Sequence, residues 1–179
     1  ENFNIINEYS VHKDKIRSIK QQNDKILTGS TDGYVKIWSG FNFENTIYEY
    51  SDSMKVFNEI SDSIWLNDEI IISAYFNMDF CVIIDHEKKS SMKFSCFMPK
   101  SLCKISENLI LIGSENSKIS LCDITNKSII KEIDSHDEKS VMNIIKIRNE
   151  NIFVSSGNDK KIKLWDSDLN NIHSFNEAN

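Results

Sequence analysis

Proline and glycine are scarce in this sequence, with one Pro and five Gly among 179 residues. Composition is otherwise even along the chain, so no Gly/Ser linker and no domain boundary is expected. Basic charge is also short, since the formal net charge is -6 and the pI is near 5.2. That balance argues against binding nucleic acid through a broad basic face. Arg17 and Arg148 are the only arginines. The cysteines Cys81, Cys96, Cys103 and Cys122 form no C-x-x-C pair, and the histidines show no ligand spacing. No metal site is expected, and reduced thiols in an intracellular, cytoplasmic or nuclear protein are. No apolar run approaches the ~20 residues of a membrane span, and no signal peptide is recognisable. A Gly-rich phosphate loop and paired catalytic carboxylates are missing too, so the sequence gives no reason to expect a cofactor. The chain begins at Glu1 rather than Met, as expected of a segment excised from a longer protein.

What the sequence does have is a repeat. Residues 16–30, 63–75, 102–114 and 144–156 share one grammar: an alternating run, an acidic-amide turn, and an apolar run ending in small residues. A further β-like run follows each, "GYVKIW", "FCVIID", "KISLCD" and "KIKLWD". A weaker fourth run then leads onward, "NTIYEY", "MKFSCF", "SIIKEI" and "NIHSFN". With Trp38, Ile84, Cys122 and Trp165 as equivalent positions, the spacings are 46, 38 and 43 residues. Helical periodicity is absent. Four strands per unit in four units predict an all-β chain of hairpin-connected antiparallel sheets.

Two units carry a fuller pattern. "TGSTDGYVKIW" has His12 upstream, and "SSGNDKKIKLWD" has His136 upstream. These resemble WD-repeat β-propeller blades. The resemblance covers nearly the whole chain, although the second and third units are degenerate, with Ile84-Asp85 and Cys122-Asp123 in place of Trp-Asp. It implies one propeller segment with blades over about 12–50, 55–97, 100–134 and 140–177. It also implies a structural hydrogen-bond network of His12, Thr28, Asp32 and Trp38, repeated as His136, Ser155, Asp159 and Trp165. Donor and acceptor chemistry explains these residue types. Trp only donates, ionised Asp only accepts, and a hydroxyl or neutral imidazole does both.

Hydroxyl, His and Asp are also the ingredients of a nucleophilic triad. The set recurs in two units and is tied to a Trp, so a clamp is expected and an enzyme is not. A sialidase-type Asp-box fails on spacing, because Gly33 directly follows Asp32 and Trp38 lies six residues beyond it. In the second unit Ser73 and Asn77, and in the third Ile112 and Asn116, occupy the hydroxyl and Asp positions. These two units are expected to rest on apolar packing from Ile70, Ile71, Ile83, Leu109, Leu111, Ile119 and Leu121, and to be the less regular half.

The opening "FNIINEY" reads as an outer strand of a preceding blade, which suggests an incomplete ring. Its exposed faces would be covered by further blades, by another chain or by an oligomer. The resemblance implies a non-catalytic scaffold that binds proteins or peptides through a loop face. Candidate partner-binding residues are Lys13, Asp14, Lys15, Asp137, Glu138 and Lys139. The alternative is a structural subunit whose blade edges complete a propeller. Two arginines are too few for a phosphopeptide reader, and the Phe-Arg-Arg-Gly motif of phosphoinositide-binding propellers is missing.

Overall fold

A computed structural model describes residues 7–39, 42–51, 59–76, 79–147 and 150–176; side chains of 42–51 are not described. Sixteen strands form four antiparallel four-stranded sheets, each built from consecutive strands. The first sheet holds β1 (Ile16–Gln22), β2 (Lys25–Ser30), β3 (Tyr34–Ser39) and β4 (Asn42–Ser51). The second holds β5 (Ile60–Trp65), β6 (Ile70–Tyr75), β7 (Phe80–Asp85) and β8 (Ser90–Ser95). The third holds β9 (Pro99–Lys104), β10 (Leu109–Ser114), β11 (Lys118–Asp123) and β12 (Ser128–Asp134). The fourth holds β13 (Val141–Lys146), β14 (Phe153–Gly157), β15 (Ile162–Trp165) and β16 (Asn171–Phe175). Of the N-terminal run expected to be a strand, residues 7–9 are not in one and the remainder lies outside the described residues.

Alternation decides which way each side chain faces. On β2 and β3, Leu27, Val35 and Ile37 point toward the second sheet and join Ile60, Ile71 and Ile84 in one buried cluster. A second cluster joins Ile72, Ile83, Leu102, Ile110 and Ile112 between the second and third sheets. A third joins Leu111, Ile119, Val141, Ile144 and Trp165 between the third and fourth. The core is therefore three layers sandwiched between four sheets. Among the described residues, no such layer joins the fourth sheet to the first. Each junction has the same mechanics: the first strand of the later sheet lies across the first two strands of the earlier one.

The register repeats in finer detail. Every first strand carries a β-bulge directly after its opening residue, at Ile16, Ile60, Pro99 and Val141. A small residue on the second strand receives the opening residue of the next sheet. At Gly113 an added Cβ would sit 2.7 Å from Val141 Cγ1, and at Gly29 it would sit 2.8 Å from Ile60 Cγ2. Closeness to a neighbouring side chain, rather than backbone freedom, selects glycine at these two positions. Freedom matters at Gly33, where the turn after Asp32 has φ 83°. Ser117 and Lys160 hold the same left-handed turn position without that advantage.

The middle sheets are not the less regular pair. Strands β6, β7 and β8 have six residues each, whereas β14, β15 and β16 have five, four and five. The reason is packing on both sides. Ile84 and Cys122 fill the Trp positions, and Ile112 fills a hydroxyl position; all three are fully buried. Apolar groups there leave no donor or acceptor to satisfy. Amide exchange is accordingly expected to be slowest in β6, β7, β10 and β11, with the fourth sheet opening first. Faster exchange in the middle sheets than in the fourth would contradict this order.

Candidate functional site

The Asp-bearing turn between β2 and β3 brings Asp32 beside the loop that precedes β1. His12 Nδ1 lies 3.1 and 3.0 Å from the two Asp32 oxygens. Its Nε2 lies 2.8 Å from Thr28 Oγ1, and Trp38 Nε1–H donates to that same hydroxyl at 2.9 Å. The fourth sheet repeats the arrangement. His136 Nδ1 is 2.8 Å from Asp159 Oδ1, Nε2 is 2.8 Å from Ser155 Oγ, and Trp165 Nε1–H donates to Ser155 Oγ at 2.8 Å. A neutral imidazole protonated on Nδ1 satisfies every pair, with the hydroxyl donating to Nε2 and Nδ1–H donating to the carboxylate. Both histidine side chains are almost fully buried.

Each clamp fastens the loop before a first strand to the sheet that follows. The Asp32 carboxylate also accepts the Lys13 backbone N–H at 2.8 Å and that of Tyr34 at 3.0 Å. Burial works to raise the Asp32 pKa, but the two backbone donors and His12 outweigh it and hold the carboxyl below its ordinary value. The Thr28 and Ser155 hydroxyls are buried and engaged by both indole and imidazole. They join the loop before each first strand to the Trp at the end of the third strand.

The other two sheets replace the clamp. In the second, Ser73 pairs with Ser63 at 2.9 Å; Asn77 lies outside the described residues. Trp65, which the motif does not contain, packs edge-on against His86 at 5.7 Å, and His86 Nε2 lies 2.8 Å from the Asp68 carbonyl oxygen. In the third, Asn116 is exposed in the turn. Burial pushes the Cys122 thiol up to about 12 and that of Cys103 up to about 11, which leaves both as buried fillers. Asp62 on β5 belongs to no motif in the sequence. Its Oδ2 accepts the Leu102 N–H of the next sheet at 2.9 Å, and Lys20 of the previous sheet stands 4.0 Å away. Burial raises its pKa despite Lys20 and the backbone donors.

The six loop candidates all lie at the ends of the sheets where β1 and β13 begin. Lys13, Asp14, Lys15, Asp137, Glu138 and Lys139 are exposed. Asp137 is already paired with Lys161 and lies 3.7 Å from Lys163 Nζ, and the Lys161 contact chiefly lowers its pKa. At this same end opens a cavity of about 240 Å³. Its lining comes from the first strands of all four sheets, with Arg17, Ile60, Ser61, Lys100 and Met142, from Glu59 just before β5, and from Phe76 after β6. Lys100 Nζ sits 4.5 Å above the Phe76 ring and 2.5 Å from Glu115. The clue in sequence was Arg17, Ser61, Lys100 and Met142 occupying the second position of each first strand. Arg148 lies outside the described residues.

Four consecutive sheets, joined in series through their first strands, define a β-propeller arrangement. The family model for the WD domain, G-beta repeat, matches residues 3–39 and 127–166. The chain thus carries WD-repeat matches around its first and fourth sheets and has a four-blade β-propeller arrangement, with two fully patterned units and two degenerate ones. No curated protein matches it. The match over 127–166 spans β12 of the third sheet and β13–β15 of the fourth. The sequence repeat thus straddles two sheets, and its clamp sits at the crossing.

Trp165→Ala is expected to cost about 3–5 kcal/mol in urea unfolding. Thr28→Val leaves the Trp38 N–H and His12 Nε2 buried without their shared partner, at about 1–3 kcal/mol for each orphan. Variants melting like the parent would remove the clamp from the account. The acids should respond oppositely to pH. The Asp32 contribution is full above the ordinary value of 3.8 and is lost as pH falls through its lowered folded pKa. Asp62 carries the reverse sign, its charged form costing stability as pH rises from 3.8 through its raised folded pKa. Asp62→Asn should therefore gain on the parent as pH climbs, measured by thermal melts across pH 3–7. A constant difference would refute the assignment.

Proposed function

We propose that the chain is a non-catalytic protein-interaction scaffold that binds a partner segment at the end of the sheets where each first strand begins. WD-repeat propellers generally mediate contacts between proteins, and one observation focuses that reading on this end. The cavity there is the place where all four sheets contribute side chains to one opening. It offers an exposed guanidinium at Arg17, apolar surface at Phe76 and Met142, and two exposed loops at 13–15 and 137–139. Lys100 is neutralised by Glu115, which leaves Arg17 as the remaining cation of the lining, with Glu59 as its other acidic member. The chemistry suits an extended peptide bearing an acidic side chain beside an apolar one. Four free, buried cysteines support an intracellular setting, cytoplasmic or nuclear.

A peptide array in which acidic-apolar pairs are varied, followed by fluorescence titration, tests the site. Arg17→Glu with Met142→Asp is expected to weaken the best acidic-apolar peptide at least about tenfold, a loss of about 1.4 kcal/mol. Charge reversal of Lys13 and Lys139 should weaken it less. Binding that ignores Arg17 and Met142, or that prefers basic peptides, would sink the proposal.

A further inference from the structure

The three internal junctions obey one rule, and the two open ends of the arc present its two halves. The opening residue of each later sheet, Ile60, Pro99 or Val141, is buried where that sheet meets a small residue, Gly29, Ala74 or Gly113, of the earlier one. Ser61 Oγ marks the second junction, bonding both the Ala74 and Pro99 carbonyls, at 3.2 and 2.8 Å. By register, Ile16 is the counterpart of those opening residues, and Ser156 is the counterpart of the small ones. Ile16 is 48% exposed, against 0% for Ile60 and Val141. Ile19, the counterpart of buried Leu102 and Ile144, is 62% exposed.

The fourth sheet shows the matching socket. A depression of about 100 Å³ on its outer face is lined by Asn143, Ile145, Val154, Ser156 and Ile162. Ile145 stands where Ile64 stands in the second sheet, and Ile162 where Val35 stands in the first. Those counterparts are buried, whereas Ile145 and Ile162 are 55% and 47% exposed. Asn143 occupies the position of Asp62, whose carboxylate accepts the N–H of Leu102 from the next sheet. The first-strand counterpart of Leu102 is Ile19, so the Asn143 side-chain oxygen is placed to accept an Ile19 N–H. Since Ile16, Ile19 and Ile145 are all exposed, the two ends do not close on each other within one chain.

We propose that a second copy of this chain lays its β1 across β13 and β14, Ile16 against Ser156, and that the reciprocal contact closes two chains into one ring. A head-to-tail contact generates a ring when its rotation closes, and eight sheets lie within the range of known propellers. Only a first strand needs to dock, because internal junctions are made that way too. This goes beyond the scaffold reading and is independent of it.

Sedimentation of the 179-residue chain at about 10 µM, roughly tenfold above a micromolar Kd, should give twice the 20.7 kDa chain mass. Ile16→Asp and Ile145→Asp should each sediment as monomers with unchanged circular dichroism. Ser156→Trp, which fills the socket, should do the same by another route. Mixing Ile16→Asp with Ile145→Asp should restore a weaker dimer, because one of the two contacts then has both partners intact. A monomeric parent overturns the proposal. So does a dimer indifferent to Ile16, or a mixture of the two variants that stays monomeric, since either points away from a head-to-tail contact. An open series of oligomers would overturn the ring.

Discussion

A four-stranded sheet has two faces and can bury neither by itself, so each sheet here depends on a first strand from the next one lying across it. That contact sets the local sequence requirements on both partners. The receiving strand needs a residue without bulk, met by Gly29, Ala74 and Gly113, and the arriving strand needs a compact apolar residue, met by Ile60, Pro99 and Val141. The bulge after each arriving residue turns the strand at the place where it makes that contact. Hydrophobic burial drives the stacking, and the small-large fit fixes its register.

Polar and apolar fillings of the same slot then account for the difference between units. A Trp at the end of a third strand brings a buried N–H to the face of its sheet, and burying that donor requires an acceptor. Thr28 and Ser155 supply it, and once the hydroxyl is there the imidazole and carboxylate follow to complete the chain of donors. Replacing Trp by Ile84 or Cys122 removes the first donor, and the rest of the set has no reason to persist. The second sheet keeps a remnant in the Ser63–Ser73 pair, in which one buried hydroxyl donates to the other. Loss of the motif is thus a change of filling rather than a loss of order.

How much of this was legible in the residues divides along the same line. Strand alternation and the turns were readable because they are local, as was the clamp chemistry of His12, Thr28, Asp32 and Trp38. Motif completeness is no measure of order here, so the middle sheets read as irregular in sequence and are regular in space. Ile84, Ile112 and Cys122 look like departures in sequence and are filled core positions in space. Asp62 gave no warning either. An acidic residue in an alternating strand reads as a solvated face, and only the arrival of Leu102 from another sheet makes it a buried acceptor. The cavity at Arg17, Ser61, Lys100 and Met142 draws on residues far apart in the chain, and no short motif encodes it.

The clamps also bear on recognition, because they end where the proposed binding loops begin. His12 is followed directly by Lys13, whose own N–H is held by Asp32, and Asp14 Oδ1 accepts the N–H of Lys15 at 2.7 Å. His136 is followed by residues 137–139, with the Lys139 N–H bonded to the His136 carbonyl at 2.8 Å. A loop pinned in this way has already lost much of the backbone freedom that a partner would otherwise have to remove, and each residue so fixed is worth about 1–2 kcal/mol of ordering entropy. Among the described residues, the second and third sheets show no His–Asp clamp before β5 and β9. The clamps of the first and fourth sheets therefore hold two loops of the proposed binding end in place before any partner arrives.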